Sequence, residues 1–317
     1  MVVKTLFYGT PAFAVPFLEL LFRKTSVVGV LSQPDKPVGR SLRIRPTPVK
    51  ARALELGLPV LQPDRPATAI DEFRPLKPDL AVAVAYGKLL PEALLRLPAI
   101  GSVNVHFSLL PKYRGAAPVQ WCLARGETLT GVTVFWIEAE LDAGPICLQR
   151  ELAIAPNEDA AALLPRLAGL GLEVLGQVLE DAAAGRARRE PQKGEPSFAP
   201  RLRREDARLN LELPAREVHD RVRGFRLWPT AFLEFKPPAP RLVRVLQTRL
   251  PGPEEPAGAG SEPGRIVRVE RGGGILVQCL RSSLWLLTVQ SEGKKPVAAA
   301  DFLNGLRLNV GDFLPLA

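Results

Sequence analysis

The sequence predicts an α/β protein: a doubly wound (Rossmann-like) parallel-sheet domain followed by a C-terminal OB-like β-barrel domain. Over residues 1–185, apolar strand-like runs alternate with helix-like segments, as in parallel sheets covered by helices on both faces. Residues 186–205 are rich in Arg, Pro, Gly and Glu, which is typical of a linker. Residues 206–317 contain short strand-like runs bounded by Gly and Pro, and this pattern favours a small barrel.

The first domain begins with an apolar run, residues 2–9, and a helix in which Thr10 resembles an N-cap and Pro11 a first helical residue. The run DLAVAVAY at 79–86 is continuously apolar, as expected of a central parallel strand buried on both faces. Strands are predicted at 2–9, 26–31, 58–61, 79–86, 102–107 and 131–137, and helices at 10–23, 49–57, 89–97, 116–125 and 159–184. In the second domain, strands are predicted at 231–235, 242–246, 264–269, 274–279 and 284–289.

Residues 33–48 (QPDKPVGRSLRIRPTP) are too rich in proline and charge for a regular element, so a long basic loop is expected there. Long loops without secondary structure inside compact domains are usually functional or disordered. The loop and its flank carry a local charge of +4, from Lys36, Arg40, Arg43, Arg45 and Lys50 against Asp35. This is either a solvated basic loop or a set of phosphate contacts.

The chain of 317 residues carries a net charge of +9. Residues 201–317 hold 19 Lys and Arg against 13 Asp and Glu, a net +6, whereas the first 200 residues carry only +3. A polyanionic partner such as RNA would explain this excess, and so would a simple need for solubility.

The cysteines, the N-terminal residues and the apolar segments also indicate where in the cell the protein is found. Cys122, Cys147 and Cys279 are widely spaced and odd in number, which argues against a disulfide framework and a zinc site and favours small buried hydrophobes. The N-terminal residues read as a strand and not as a signal peptide. The most apolar helix candidate, residues 12–22, is interrupted and too short to span a membrane. We therefore expect a soluble cytoplasmic protein with no metal and no membrane association.

The segment 103–111 (VNVHFSLLP) is the most informative in the chain. Apolar and polar residues alternate, which predicts a strand that presents Asn104 and His106 side by side on one face. Tyr86 and Gly87, the segment that follows His106, and Asp142 all lie at predicted strand ends. In parallel sheets ligands bind at the carboxyl ends of the strands, so one site is expected there.

Three polar groups in this site suit acyl or formyl transfer to an amine. His106 would relay the proton, an effect worth roughly 10²–10⁴ in rate. Asn104 would donate to the oxygen that gains charge, and Asp142 would hold the imidazole and favour its charged form. Alone, His106 would be read as a buried core histidine and Asp142 as a turn residue; their joint placement favours the site. No G-x-S-x-G elbow surrounds Ser108, and Gly9-Thr10-Pro11 is not a nucleotide-binding loop.

The sequence resembles the methionyl-tRNA formyltransferases over nearly its whole length. The matching stretches are 7–14 (FYGTPAFA), 33–40 (QPDKPVGR), 84–87 (VAYG), 104–106 (NVH), 108–120 (SLLPKYRGAAPVQ), 131–133 (GVT), 141–144 (LDAG), 228–229 (WP) and 287–295 (LTVQSEGKK). Phe107 departs from the family pattern, in which a small residue is expected. Because it points to the opposite strand face, it is expected to pack in the core.

The resemblance implies that 10-formyltetrahydrofolate donates its formyl group to the α-amine of methionyl-initiator-tRNA, in a cytoplasmic monomer whose other partner is folate. It assigns catalysis to Asn104, His106 and Asp142. Folate binding is assigned to Val84, Ala85, Tyr86, Gly87, Ser108, Leu109, Leu110, Pro111, Leu141, Ala143 and Gly144. Contacts with tRNA are assigned to Lys36, Arg40, Arg43, Arg45, Lys294 and Lys295, although the last two are equally well read as a charged turn. The implied domains are a catalytic domain (1–185), a linker (186–205) and a tRNA-binding barrel (206–317).

Two alternatives stay open. Another formyltransferase or a formyltetrahydrofolate hydrolase would share the catalytic residues and differ in the acceptor. The basic loop and the net charge of +6 on residues 201–317 disfavour this first alternative. A noncatalytic tRNA-binding module with a decayed enzyme fold is disfavoured by the intact Asn104, His106 and Asp142.

Overall fold

The structure, a computed structural model, describes residues 2–38, 43–237, 239, 242–255 and 262–317. The chain divides into two compact units. One comprises Met1–Pro118, Leu129–Ala153 and Pro165–Pro200, and the other comprises Val119–Thr128, Ile154–Leu164 and Arg201–Ala317. Each is described separately below.

The elements up to residue 183 alternate largely as predicted. They are β1 (Lys4–Gly9), α1 (Val15–Lys24), β2 (Ser26–Leu31), β3 (Lys36–Val38), β4 (Arg43–Arg45), α2 (Pro48–Glu55), β5 (Val60–Leu61), α3 (Ile70–Phe73), β6 (Leu80–Val84), α4 (Glu92–Leu95), β7 (Gly101–His106), α5 (Pro118–Ala124), β8 (Leu129–Trp136), β9 (Ile146–Ala153) and α6 (Ala160–Ala183). Short 3-10 turns occur at Ala12–Ala14, Pro66–Ala69 and Arg74–Leu76.

Within the described residues, the first unit contains a seven-stranded sheet of order β5-β2-β1-β6-β7-β8-β9. The first five strands are parallel, β8 runs antiparallel to them, and the edge strand β9 runs antiparallel to β8. The central β6 is buried along its whole length, which explains its unbroken apolar sequence. The core beside it includes Leu6, Tyr8, Phe73 and Leu94.

Three local expectations for this unit were wrong. Thr10 does not cap a helix, because its hydroxyl donates to the Tyr86 carbonyl at 3.0 Å. Residues 33–48 are not wholly irregular, because β3 and β4 form an antiparallel hairpin. Strand β9 was not predicted at all. It is an edge strand with many exposed residues, so its apolar pattern is weak.

Helix α6 has the length and the apolar composition of a membrane-spanning helix. Within the described residues it is the one helix long and apolar enough to cross a bilayer, and half of its most apolar stretch is buried inside the protein. A core helix of a soluble protein meets the same test. The expectation that residues 12–22 form the most apolar helix was therefore wrong.

The second unit is built on antiparallel strands. Its remaining elements are α7 (Ala215–Gly224), β10 (Phe232–Glu234), β11 (Leu242–Arg249), β12 (Ile266–Val269), β13 (Ile275–Gln278), β14 (Ser283–Ser291), β15 (Val297–Ala298) and α8 (Ala299–Leu306). In the described part, the sheet has the order β10-β11-β14-β13-β12, with β15 beside β14. Trp285 is fully buried in its core. The predicted fold class, a Rossmann-like domain with a C-terminal β-barrel domain, is confirmed. Helices α7 and α8 were not predicted.

Candidate active site

Strand β7 ends at the centre of the site. Asn104 and His106 alternate with the buried Val103 and Val105, so both polar side chains lie on the same sheet face. Asn104 is half-buried, and His106 is 5% exposed. Ala83 of β6 is the partner of Asn104 in the parallel ladder, so residues 85–87, which follow β6, leave the sheet beside His106.

The two ring nitrogens of His106 face different neighbours. Nε2 lies 2.9 Å from the carbonyl oxygen of Tyr113, and Nδ1 lies 3.8 Å from Oδ2 of Asp142. A carbonyl oxygen only accepts hydrogen bonds, so Nε2 carries the proton and donates it. In the neutral ring the free lone pair is then on Nδ1, on the side of Asp142.

Burial lowers the pKa of His106 below its ordinary value of 6.5, whereas the Asp142 carboxylate and the Tyr113 carbonyl act to raise it. The depression dominates because a buried cation loses its hydration. The imidazole is therefore neutral near pH 7 and able to accept a proton at Nδ1.

Asp142 reaches His106 by a route that differs from the one predicted. Strand β8 runs antiparallel to β7, so its carboxyl end lies at the opposite edge of the sheet, and the parallel-edge argument fails for this residue. The loop 137–145 nevertheless returns to the site. There Oδ2 of Asp142 accepts a hydrogen bond of 2.7 Å from the Gly115 amide.

Gly144 makes this loop path possible. A Cβ atom on Gly144 would lie 1.8 Å from the carbonyl oxygen of Trp136, a distance that no side chain tolerates. Asp142, two residues earlier, has a φ of 51°, which is unfavourable for a residue other than glycine. The loop therefore depends on close backbone packing and on outside contacts.

The segment between β7 and α5 is fixed by buried hydrogen bonds. The Ser108 hydroxyl is fully buried and donates to the Lys112 carbonyl at 2.6 Å. Thr133 donates to the Ser108 carbonyl at 2.7 Å and accepts from the Leu110 amide at 3.2 Å. Gln149 donates to the Leu110 carbonyl at 3.0 Å. These bonds fix the turn that brings the Tyr113 carbonyl to His106.

The predicted folate residues differ in exposure. Most are buried, and Tyr86 has its side chain in the core; the buried ones are Val84, Tyr86, Ser108, Leu110, Pro111 and Gly144. Leu109 and Ala143 are half-buried, and Ala85, Gly87 and Leu141 are exposed. Ala85 has a φ of 48° and Gly87 a φ of 81°, so the backbone turns sharply after β6. This turn and the exposed Leu141 side chain offer main-chain polar groups and an apolar surface, which suit a flat heterocycle.

Two residues anchor the segment 84–87 from outside. The Tyr86 carbonyl accepts hydrogen bonds from the Thr10 hydroxyl at 3.0 Å and from Gln33 Nε2 at 2.8 Å. Gln33 was read only as the start of the basic loop. Because it stands between that loop and the strand end, it connects the two.

The basic residues of the hairpin form a separate group. Lys36 pairs with Arg45 across the β3-β4 ladder, and Arg43 lies two residues before Arg45, so all three share one face. They are exposed. Arg40 lies outside the described residues.

The hairpin base is well anchored. Asp35 accepts hydrogen bonds from Lys50 Nζ, from Gln62 Nε2 at 2.7 Å and from the Thr47 amide at 3.3 Å. These bonds lower the pKa of Asp35, chiefly through Gln62 and Lys50. Lys50 therefore pairs with Asp35 and belongs to the base of the hairpin, not to its free basic face.

Lys294 and Lys295 lie in the second unit, in the exposed turn between β14 and β15. The Lys294 carbonyl accepts a hydrogen bond from Gln290 at 2.8 Å, which orders the turn. No group of three or more His, Cys, Asp or Glu side chains among the described residues is placed to hold a metal ion.

Comparisons with known proteins agree with this geometry. Residues 6–179 match the family model described as formyl transferase, and residues 201–307 match that of the formyl transferase C-terminal domain. The fold and the site thus define a formyltransferase. Methionyl-tRNA formyltransferase of Geobacter sulfurreducens is 42% identical over 313 residues, 98% of this chain and 96% of its own. That of Myxococcus xanthus is 42% identical, over 97% of this chain and 96% of its own. The chain belongs to the methionyl-tRNA formyltransferase family.

Solved structures share the fold at low identity. An N-formyltransferase from Helicobacter canadensis, solved with folinic acid and dTDP-3-aminofucose, has a TM-score of 0.67 at 16% identity, over 90% of this chain and 99% of its own. HypX from Aquifex aeolicus, solved with tetrahydrofolic acid, has a TM-score of 0.64 at 17% identity over 98% of this chain. This chain spans 48% of HypX.

Proposed function

We propose that this protein transfers the formyl group of 10-formyltetrahydrofolate to the α-amine of methionyl-initiator-tRNA, the reaction that prepares the initiator for translation. The observation that carries the chemistry is the buried His106 imidazole, whose Nδ1 faces Asp142 at 3.8 Å. Full-length similarity to methionyl-tRNA formyltransferases supports the acceptor.

Each of the three polar side chains has a role in this proposal. His106 accepts at Nδ1 the proton that the attacking amine loses and would return it to the folate nitrogen, whose bond to the formyl carbon breaks as the new C–N bond forms. Asp142 stabilises the imidazolium that results, because its carboxylate lies on that side of the ring. Asn104, on the same strand face, donates from its amide to the formyl oxygen as that oxygen gains negative charge. The folate supplies an activated formyl carbon, and the main-chain groups of 84–87 with the loop 141–144 are the residues that would hold it.

The basic hairpin and the C-terminal domain supply the tRNA surface in this proposal. Lys36, Arg43 and Arg45 share one exposed face. Cations placed so close together repel one another unless anions lie between them, so the face suits a phosphate backbone. We assign Arg40, Lys294 and Lys295 to tRNA contacts as well. The +6 charge of residues 201–317 supports residues 206–317 as the tRNA-binding domain, with 1–185 as the catalytic domain and 186–205 between them.

We further infer a cytoplasmic monomer that does not bind membranes. The resemblance to the family supports the monomer, and half of the most apolar stretch of α6 is buried inside the protein. Light scattering on the purified protein tests the monomer, since a dimer would double the mass of 34.5 kDa.

A transfer assay tests the function. Purified protein is incubated with 10-formyltetrahydrofolate and methionyl-initiator-tRNA, with free methionine and uncharged tRNA as controls. We expect formylation of the charged tRNA alone. Formate release, or formylation of another amine such as that of an amino sugar, would keep the folate chemistry and overturn the acceptor.

A further inference from the structure

Residues 188–199, here named the strap, lie in the segment that the sequence assigns to a linker, yet they run along the candidate site. Glu190 and Ile146 exchange two backbone hydrogen bonds, of 2.7 and 3.0 Å. The Arg189 guanidinium lies 3.8 Å from the centre of the Trp136 ring. The first half of the strap is therefore fixed to both ends of the loop 137–145.

The second half of the strap is fixed to the segment that follows β7. The Ser197 hydroxyl accepts a hydrogen bond of 2.9 Å from the Tyr113 amide. The Arg114 amide donates to the Ser197 carbonyl at 2.8 Å, and the Ala199 amide donates to the Arg114 carbonyl at 2.7 Å. The strap thus holds the residue whose carbonyl binds His106.

Gln192 joins these two attachments with a single side chain. Its Nε2 donates to the carbonyls of Asp142 at 2.8 Å and Gly144 at 2.9 Å. Its Oε1 accepts from Arg114 Nη2 at 2.8 Å and Nε at 3.2 Å. Both amide hydrogens and the carbonyl oxygen are therefore used, and the side chain is half-buried.

We propose that Gln192 is a positioning residue for formyl transfer, which holds the loop 141–144 so that the Asp142 carboxylate faces Nδ1 of His106. Asp142 has a left-handed backbone that it would not keep without outside contacts. Its carboxylate has one hydrogen-bond donor in the Gly115 amide, and Gln192 fixes the main chain that carries it. The inference rests on the proposed role of Asp142 in the reaction.

Two substitutions separate the contacts of Gln192. Gln192→Ala removes all of them. Gln192→Glu keeps an oxygen for Arg114 but has no N–H for the two carbonyls. The control is Glu195→Gln, an exposed position in the same strap. With both substrates saturating, we expect kcat to fall about 10- to 100-fold in both Gln192 variants, the order expected for a small displacement of a catalytic group, and to stay at the wild-type value in Glu195→Gln. Wild-type kcat in Gln192→Glu would overturn the proposal, because only the Arg114 contact would then matter.

A second measurement does not depend on activity. The chain has two histidines, so their imidazole NMR signals are easily assigned by substitution. We expect the His106 signal to move in Gln192→Ala, because the carboxylate beside it is displaced, while the His219 signal of the second unit stays in place and reports an intact fold. A His106 signal that does not move would overturn the proposal. If the wild-type protein failed to formylate methionyl-tRNA, the proposed function would fail, and the NMR result would still decide the role of Gln192.

Discussion

His106 acquires its chemistry from the different neighbours of its two ring nitrogens. The Tyr113 carbonyl fixes the proton on Nε2, and the lone pair of Nδ1 is left beside Asp142. Burial keeps the ring neutral, so it is ready to accept a proton. The sequence predicts the participation of His106 and Asp142. The tautomer depends on a carbonyl seven residues away, which no pattern of side chains specifies.

Replacing His106 by alanine tests its role directly. We expect formyl transfer to fall by about 10² to 10⁴, the usual contribution of a general acid or base, while the protein stays folded and binds tRNA as the wild type does. Steady-state kinetics and filter binding measure the two effects. Activity within a few-fold of wild type would exclude His106 as the proton acceptor.

The pH dependence gives a second test at this scale. A base must be neutral to act, and burial places the pKa of His106 below 6.5, so kcat/KM is retained above that pH and lost as the pH falls through the lowered pKa. Asp142 raises this pKa, so in Asp142→Asn the acid limb moves to still lower pH. Profiles of both proteins with the same methionyl-tRNA cancel the titration of the substrate amine. Coincident acid limbs would contradict the coupling between Asp142 and His106.

At the scale of elements, the buried strands were predicted best. Strand β2 was predicted at its observed bounds, because its sequence, SVVGVL, is a short, mainly apolar and β-branched run. The hairpin of β3 and β4 was missed because its two strands are only three residues long and rich in charge and proline. The antiparallel direction of β8 was missed because an apolar run does not indicate its direction.

The hairpin face yields a prediction about tRNA. We expect Arg43→Ala and Arg45→Ala to raise KM for methionyl-tRNA several-fold while KM for 10-formyltetrahydrofolate is unchanged, because their side chains lie on the exposed cationic face. Arg23→Ala, an exposed arginine on α1, is the matched control. Should folate KM rise equally, the hairpin would serve the folate and not the tRNA.

At the scale of the whole molecule, charge is distributed unevenly. The last 117 residues, 201–317, carry +6 of the net +9, and the hairpin of the first unit adds a local basic face. Each of these basic regions suits a polyanionic partner. Net charge does not determine the fold, since a neutral sequence with the same apolar pattern would form it too.

Salt dependence tests this distribution. If the three hairpin cations and part of the second unit contact phosphates, log(kcat/KM) for methionyl-tRNA falls linearly with log salt, with a slope of magnitude at least about 2, since each contact contributes about 0.7–0.9. Removal of Arg43 reduces that slope by about 1. A slope near zero would show that tRNA binding does not depend on these charges.

The sequence by itself determined the alternation of strands and helices and the two-domain fold class, because periodicity is a local property. It also predicted Asn104, His106 and Asp142 as the catalytic trio. Only the tertiary structure placed Gln192 and the strap against the site, paired Tyr113 with His106 and returned the loop 137–145 to β7. These features depend on hydrogen bonds between segments far apart in the chain, in which one partner is mostly a main-chain group. Every residue possesses such groups, so the sequence does not indicate which of them pair.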